Sequence, residues 1–174
     1  PQCVGIAVGN GDPVALDGEE AEPVELTRTL NGRAGAPGVG GTDMMEDRMV
    51  GLKVRENDEH PAATTLLAAH EALEGLVLTK DERDFKRRVD DEWAQKGYEG
   101  LVDHPLMDAL EGFVAATQAR VTGTVTIKFE GGRARPVARE SAYAAYSEDA
   151  ASFNTEDVGG ITQQDATGVA KYHG

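Results

Sequence analysis

Between Val121 and Phe129, Val121, Gly123, Val125, Ile127 and Phe129 alternate strictly with Thr122, Thr124, Thr126 and Lys128. A two-residue period of this kind leaves one reading, a strand with one face turned to a core, because a slip of one residue would expose every apolar side chain. Gly131-Gly132 then permits reversal towards Arg135, Val137 and Arg139, which makes the segment a predicted hairpin. The same signal stands at the other end of the chain, where Val4, Ile6 and Val8 lead through Asn10-Gly11 to Val14 and Leu16.

Helical periods fill the interval. Pro23 opens a short predicted helix with Val24, Leu26 and Leu30 on its apolar face, stopped at Asn31-Gly32. Pro61 opens a second, carrying Leu66, Ala69, Leu73 and Leu76. Thr79 and Glu82 form a capping-box pattern for a third, in which Phe85, Val89 and Trp93 recur every fourth residue and Lys86, Arg87 and Arg88 form a solvated face. Pro105 opens a fourth whose Leu106, Leu110, Phe113 and Val114 are expected to face the core, and Thr162 is a plausible cap for a last helix with Ala166, Val169 and Ala170. From Asp43 to Arg55, Met45, Met49, Val50, Leu52 and Val54 flank a polar bend at Glu46-Asp47, which predicts two more strands or one kinked strand.

Strands at both ends with helices grouped between them predict an α+β fold, mainly an antiparallel sheet built from hairpins and packed against several helices. At 174 residues the default is one domain. Its apolar stretches are too short to cross a bilayer. No positively charged, apolar leader opens the chain and Cys3 is the only cysteine, so a reducing cytoplasm is the expected location. The formal charge of −14, from 31 acidic against 17 basic residues scattered along the chain, repels nucleic acid and anionic lipid and suits solubility in concentrated salt. No nucleic-acid or membrane partner is expected.

Few residues offer chemistry. Gly35-Ala36-Pro37-Gly38-Val39-Gly40-Gly41 lacks the Lys-Ser/Thr ending of a phosphate loop and is expected to be a structural turn. His70-Glu71 has no second histidine four positions on, His60, His104 and His173 are dispersed, and no protein-bound metal is expected. Ser141, Ser147 and Ser152 lack a nucleophile elbow. What stands out is the polar stretch from Glu46 to Glu59, where carboxylates crowd Arg48, Lys53 and Arg55; taken alone it reads as an interstrand salt-bridge network.

The run from Gly38 to Arg55, GVGGTDMMEDRMVGLKVR, resembles the argininosuccinate synthase segment GVGRIDMVENRLVGIKSR. The resemblance continues through Glu59, Pro61, Ala62, Thr64 and the Leu-Ala-Ala-His stretch at 67–70, then Val121-Thr122-Gly123-Thr124-Val125, Arg139, Ser141, Tyr143, Tyr146 and Asp165-Ala166-Thr167-Gly168. It therefore covers nearly the whole chain, in a haloarchaeal-like form.

The resemblance implies a ligase that joins citrulline and aspartate using ATP with magnesium. In that family the citrulline ureido oxygen is adenylylated, pyrophosphate leaves, and the aspartate amine displaces AMP. It implies that residues 1–174 are the C-terminal catalytic and multimerisation domain. ATP would be bound mainly by an N-terminal domain carrying a Ser-Gly-Gly-Leu-Asp-Thr loop, which this sequence lacks; no cofactor is expected on this chain, which alone would be inactive. The implied partners are citrulline, that N-terminal domain and the other subunits of a homotetramer.

The family's citrulline-binding glutamate falls on Glu46, and a carboxylate suits an ammonium group. A second substrate position, tyrosine in the family, falls on Asp58. An ionised aspartate accepts but does not donate a hydrogen bond, so altered citrulline binding is expected there. Loss of that tyrosine keeps open a different class of function, a noncatalytic module that oligomerises or binds a small amino acid.

Overall fold

The computed structural model describes residues 2–48 and 50–145 of the chain. The strand β1 (Gln2–Gly9) pairs with β2 (Asp12–Leu16) through Asn10 and Gly11, both in the left-handed region at φ 52° and 90°. That is the geometry a two-residue turn requires and the reason for an Asn-Gly pair there. Asp17-Gly18 repeats the device at φ 52° and 86° and returns the chain to β3 (Glu19–Glu20), a two-residue strand that sequence reasoning did not anticipate. Here the Asp17 carboxylate accepts the Gly5 N–H at 2.7 Å and so fastens the turn to β1.

At the far end of the described chain, β6 (Gly123–Glu130) and β7 (Arg133–Glu140) form the expected hairpin. β6 pairs antiparallel with β1, giving one sheet in the order β3-β2-β1-β6-β7. In that register Val4 faces Ile127 and Ile6 faces Val125, so the alternating apolar rows of the two hairpins share one face. Val4, Ile6, Val125 and Ile127 are completely buried. The predicted α+β architecture is present.

Two helices cover that face. In α1 (Pro23–Gly35), Leu26, Leu30 and Ala34 form the buried row, while Val24 is 65% exposed. The helix runs through Asn31-Gly32, where a stop was expected. The Asn31 side chain, a group that can close a helix locally, instead accepts the Ala62 N–H at 2.8 Å and caps the neighbouring α2 (Pro61–Val77). α2 begins at its proline as expected and buries Ala62, Ala69, Leu73 and Val77.

The glycine run between α1 and β4 (Gly41–Asp47) is a turn, as expected, with Gly38 and Gly40 at φ 83° and 88°. Gly40 lies against the start of α2, where a Cβ would sit 2.6 Å from the Pro61 N and Cα atoms. Only glycine satisfies both constraints. β5 (Lys53–Glu59) then leads directly into α2.

The helices α3 (Lys80–Tyr98) and α4 (Pro105–Gln118) attach differently. α3 carries the predicted capping box, with Thr79 and Glu82 exchanging backbone and side-chain hydrogen bonds. Lys86, however, was expected in a solvated face and is only 5% exposed. Its ammonium bonds both Asp90 oxygens at 2.9 and 2.7 Å and lies 3.2 Å from the buried Glu74 carboxylate of α2. The Gln118 amide of α4 donates to the same Glu74 at 2.7 Å, and His70 closes the cluster on Gln118 at 2.8 Å. Burial pulls the Lys86 pKa down, but bonding to Asp90 and the Glu74 charge outweigh it and the net shift is upward.

Val89 of α3 and Met107 of α4 are buried beside this polar cluster, but the apolar stripes of the two helices are left partly open. Phe85 and Trp93 are 52% and 42% exposed, and Leu106 is also exposed, which corrects the expectation that the α4 stripe faces the core. Phe85 and Phe113 meet edge to face at 5.1 Å between ring centres. The helix expected after Thr162 lies outside the described residues.

Two substitutions test these contacts by urea unfolding at fixed KCl. Gly40→Ala is expected to cost about 3 kcal/mol, from left-handed strain plus a backbone clash. Lys86→Ala is expected to cost about 3 kcal/mol, and Lys86→Met, which keeps most of the stem, should recover little, because either change strands the Glu74 carboxylate.

Candidate functional site

β4 and β5 form a separate two-stranded sheet, paired from Gly41↔Glu59 to Asp47↔Lys53. The two expected strands are present, but the bend is displaced from Glu46-Asp47. Both residues remain in the ladder opposite Val54 and Lys53, and the chain reverses over 48–52. Arg48 donates to the Leu52 carbonyl at 2.8 Å, and Gly51, at φ 80°, donates to the Arg48 carbonyl at 2.8 Å. The glycine that tolerates a left-handed backbone, not the most polar pair, sets the turn.

This register sorts the side chains onto two faces. One carries Asp43, Met45, Asp47, Lys53, Arg55 and Asn57, all exposed. On it Arg55 grips Asp43 through Nε at 2.8 Å and Nη2 at 2.5 Å, and Lys53 bonds Asp47 at 2.5 Å. The Arg55 guanidinium holds the Asp43 carboxyl below its usual range. These contacts are the expected interstrand salt bridges.

The other face carries Thr42, Met44, Glu46, Val54, Glu56 and Asp58, and at the turn end Glu46, Val54 and Glu56 are half-buried. Both residues singled out from the sequence, Glu46 and Asp58, therefore lie on one face. They stand four registers apart, about 13 Å along the strands. Asp58 is exposed opposite Thr42.

Glu46 is held by one hydrogen bond and approached by one cation. The Tyr98 phenol, at the last residue of α3, donates to its Oε1, with the Asp47 carbonyl as a second acceptor at 3.4 Å. The Glu46 carboxylate raises the Tyr98 pKa by stabilising the protonated phenol. Arg48 comes within ion-pair distance of Oε2, at 3.8 Å, and makes its shorter bond, 2.5 Å, to Glu56. Sequence reasoning missed Tyr98. Its contact joins residues 52 positions apart, and no spacing rule connects a helix end to a remote strand.

The other candidates have structural roles. His104 caps α4, its Nδ1 accepting the Leu106 N–H at 3.1 Å. His70 was expected on a helical surface and is instead half-buried on Gln118. Ser141 donates to the Thr122 carbonyl at 2.5 Å and accepts from the Tyr143 N–H. Ser147, Ser152, Tyr146 and His173 lie outside the described residues. Among the described residues no group of three or more His, Cys, Asp or Glu is arranged to hold a metal. The glycine run does not fit a nucleotide phosphate either, since Pro61 already occupies the space in front of Gly40.

No helix among the described residues is long and apolar enough to cross a membrane. The model of the arginosuccinate synthase C-terminal domain family matches residues 1–174. The argininosuccinate synthase of Haloquadratum walsbyi is 75% identical over 173 residues, covering 99% of this chain and 44% of that protein. Its namesake in Halobacterium salinarum is 71% identical over 171 residues, 98% of this chain and 43% of the relative, and that of Methanosarcina acetivorans is 53% identical over 174 residues, 100% and 43%. The chain thus spans less than half the length of the relatives it matches.

The depressed Asp43 pKa has a definite sign. Its stabilising contribution is present above the unfolded carboxylate pKa and is lost as pH falls through the lowered folded value. Carboxyl NMR titration is expected to show Asp43 returning to the ordinary range in Arg55→Gln. In molar KCl the depression should shrink, because both partners are exposed and salt screens them.

Proposed function

The chain belongs to the argininosuccinate synthase family, as its C-terminal domain, and from that premise we propose that it supplies citrulline binding and oligomerisation to an ATP-dependent ligase. The complete protein joins citrulline and aspartate into argininosuccinate, releasing AMP and pyrophosphate, in the arginine biosynthesis of a halophile's cytoplasm. Its ATP and magnesium sit mainly on an N-terminal domain, whose phosphate loop has no counterpart in this sequence.

One observation carries the citrulline assignment. Glu46 is a half-buried carboxylate fixed by a phenol, with Glu56 and Asp47 nearby and Arg48 occupied. Such a site favours a cation with hydrogen-bond donors, and the α-ammonium of an amino acid is one. Asp58, on the same face about 13 Å along the strands, stands towards the other end of an amino acid with a three-methylene arm. The contribution of these residues is orientation: holding citrulline fixed lets its ureido oxygen meet the activated phosphate without an entropic search. No covalent step is assigned to this chain.

The exposure of Phe85, Trp93, Leu101, Val102 and Leu106, on α3, α4 and the segment between them, supports the oligomeric part of the proposal, since apolar side chains gathered on a surface suit an interface. It suits contact with other subunits of a homotetramer or with the N-terminal domain. A dense carboxylate surface suits the concentrated salt in which these contacts would form.

The test is turnover after the chain is combined with the N-terminal segment of the Haloquadratum walsbyi relative, in strong KCl. Pyrophosphate release is expected to require both citrulline and aspartate. A folded pair without turnover would favour a noncatalytic oligomerisation or amino-acid-binding module. In the active pair, Glu46→Gln should raise the citrulline KM at least tenfold, the loss of one charge-assisted hydrogen bond. Asp58→Tyr should tighten citrulline binding, and equal affinity would remove Asp58 from the site.

A further inference from the structure

We propose that Tyr98 is a positioning residue of the amino-acid site: its phenol fixes Oε1 of Glu46 so that the rest of that carboxylate meets the substrate ammonium. This inference rests on the assignment of Glu46 to citrulline and adds a residue, on a different element, that sets how well Glu46 performs.

The geometry of Tyr98 is not explained by packing. A tyrosine placed for its ring buries the ring and lets the hydroxyl find a partner at the edge. Here the residue is 53% exposed, and the hydroxyl reaches across to a carboxylate on a separate sheet. α3 is held independently, by its capping box at Thr79 and by buried Lys86 twelve residues before Tyr98. The phenol is therefore delivered to the hairpin by a rigid element fastened elsewhere.

The consequence for Glu46 is chemical. A free glutamate distributes its carboxylate over many rotamers, and a ligand that needs one of them must bear the ordering cost on binding. A carboxylate has about four lone-pair sites, and one phenol occupies one of them. The others remain open to the three donors of an ammonium. Because Tyr98 is a neutral donor, it holds the carboxylate without cancelling its charge, as a lysine or arginine would. Arg48, the nearest cation, lies 3.8 Å from Oε2 and makes its shorter contact, 2.5 Å, with Glu56. The Asp47 carbonyl offers the phenol only a longer alternative at 3.4 Å, so Glu46 is the principal partner.

The experiment uses this chain joined to the N-terminal segment of the Haloquadratum walsbyi relative, with citrulline, aspartate and ATP varied in turn. Tyr98→Phe keeps the half-exposed ring and deletes the donor. It is expected to raise the citrulline KM about tenfold, with changes below twofold in the KM of aspartate and of ATP. Tyr98→His, which returns a ring N–H, should restore part of the loss. In a Glu46→Gln background Tyr98→Phe should add nothing, because the two residues act as one unit. An unchanged citrulline KM in Tyr98→Phe, while Glu46→Gln raises it, would overturn this inference alone. Equal rises in all three KM values with a lowered Tm would also overturn it, making Tyr98 only a tether of the hairpin. An unchanged citrulline KM in Glu46→Gln would remove the site assignment itself and the role of Tyr98 with it.

Discussion

The Glu74 carboxylate, on the inner side of α2, is the constraint from which the arrangement of the helical half follows. A buried carboxylate without partners would cost several kcal/mol, so the chain must bring donors to it. It does so from two elements, an ammonium from α3 and an amide from α4, while a histidine of its own helix bonds the oxygen of that same Gln118 amide. Neither α3 nor α4 contributes a residue to the main apolar cluster on the sheet, which draws on the strands, α1, α2 and the segments beside them. Beside the buried apolar Val89 and Met107, their attachment to α2 therefore includes a buried polar cluster, whose geometry is narrower than a hydrophobic contact would impose. Hydrogen bonds specify direction as well as proximity.

That directionality reaches the candidate site. With Lys86 fixed on Glu74 and Asp90, the axis and rotation of α3 are determined near its middle, and its last residue arrives at the β4–β5 hairpin. The hairpin is a two-stranded ribbon with one face fully exposed, and such ribbons are marginal alone. Its anchors are the Gly40 turn packed on Pro61 at one end and the Tyr98 phenol at the other. The glycine-rich run and the Glu46 carboxylate are therefore parts of one device, which sets the pose of a ribbon the main core does not hold.

The sheet half was legible in the sequence because its signals are local. Alternation in Val4 to Val8 and Val125 to Phe129, with Asn10-Gly11 and Gly131-Gly132, needs only neighbouring residues to be read, and so do the prolines that open α1, α2 and α4. The failures share a cause, which is a partner remote in sequence. Asn31 reads as a helix stop until its acceptor is committed to Ala62; Lys86 reads as solvated until Glu74 and Asp90 are brought to it; Tyr98 carries no signal until Glu46 is placed beside it. Phe85 and Trp93 mislead in the opposite sense. Helical period identifies an apolar face but not whether anything within the same chain covers it.

The site carboxylates raise a problem particular to a chain with 31 acidic residues, since composition cannot tell a binding group from the solubilising background. Resemblance to a family picked out Glu46 and Asp58 by position, and geometry separates them. Glu46 is half-buried and held by a neutral donor on a rigid helix, so its charge faces a restricted space at low ordering cost. Asp58 is exposed on the strand opposite Thr42, without such a fixed partner among the described residues. Concentrated salt sharpens the distinction: a Debye length of about 3 Å at 1 M leaves an exposed carboxylate little reach, whereas a half-buried, hydrogen-bonded one still acts on a ligand in contact with it. A halophilic surface and the charged site proposed at Glu46 can therefore coexist in one domain, because burial and fixation, not the number of charges, decide which carboxylates act on a ligand.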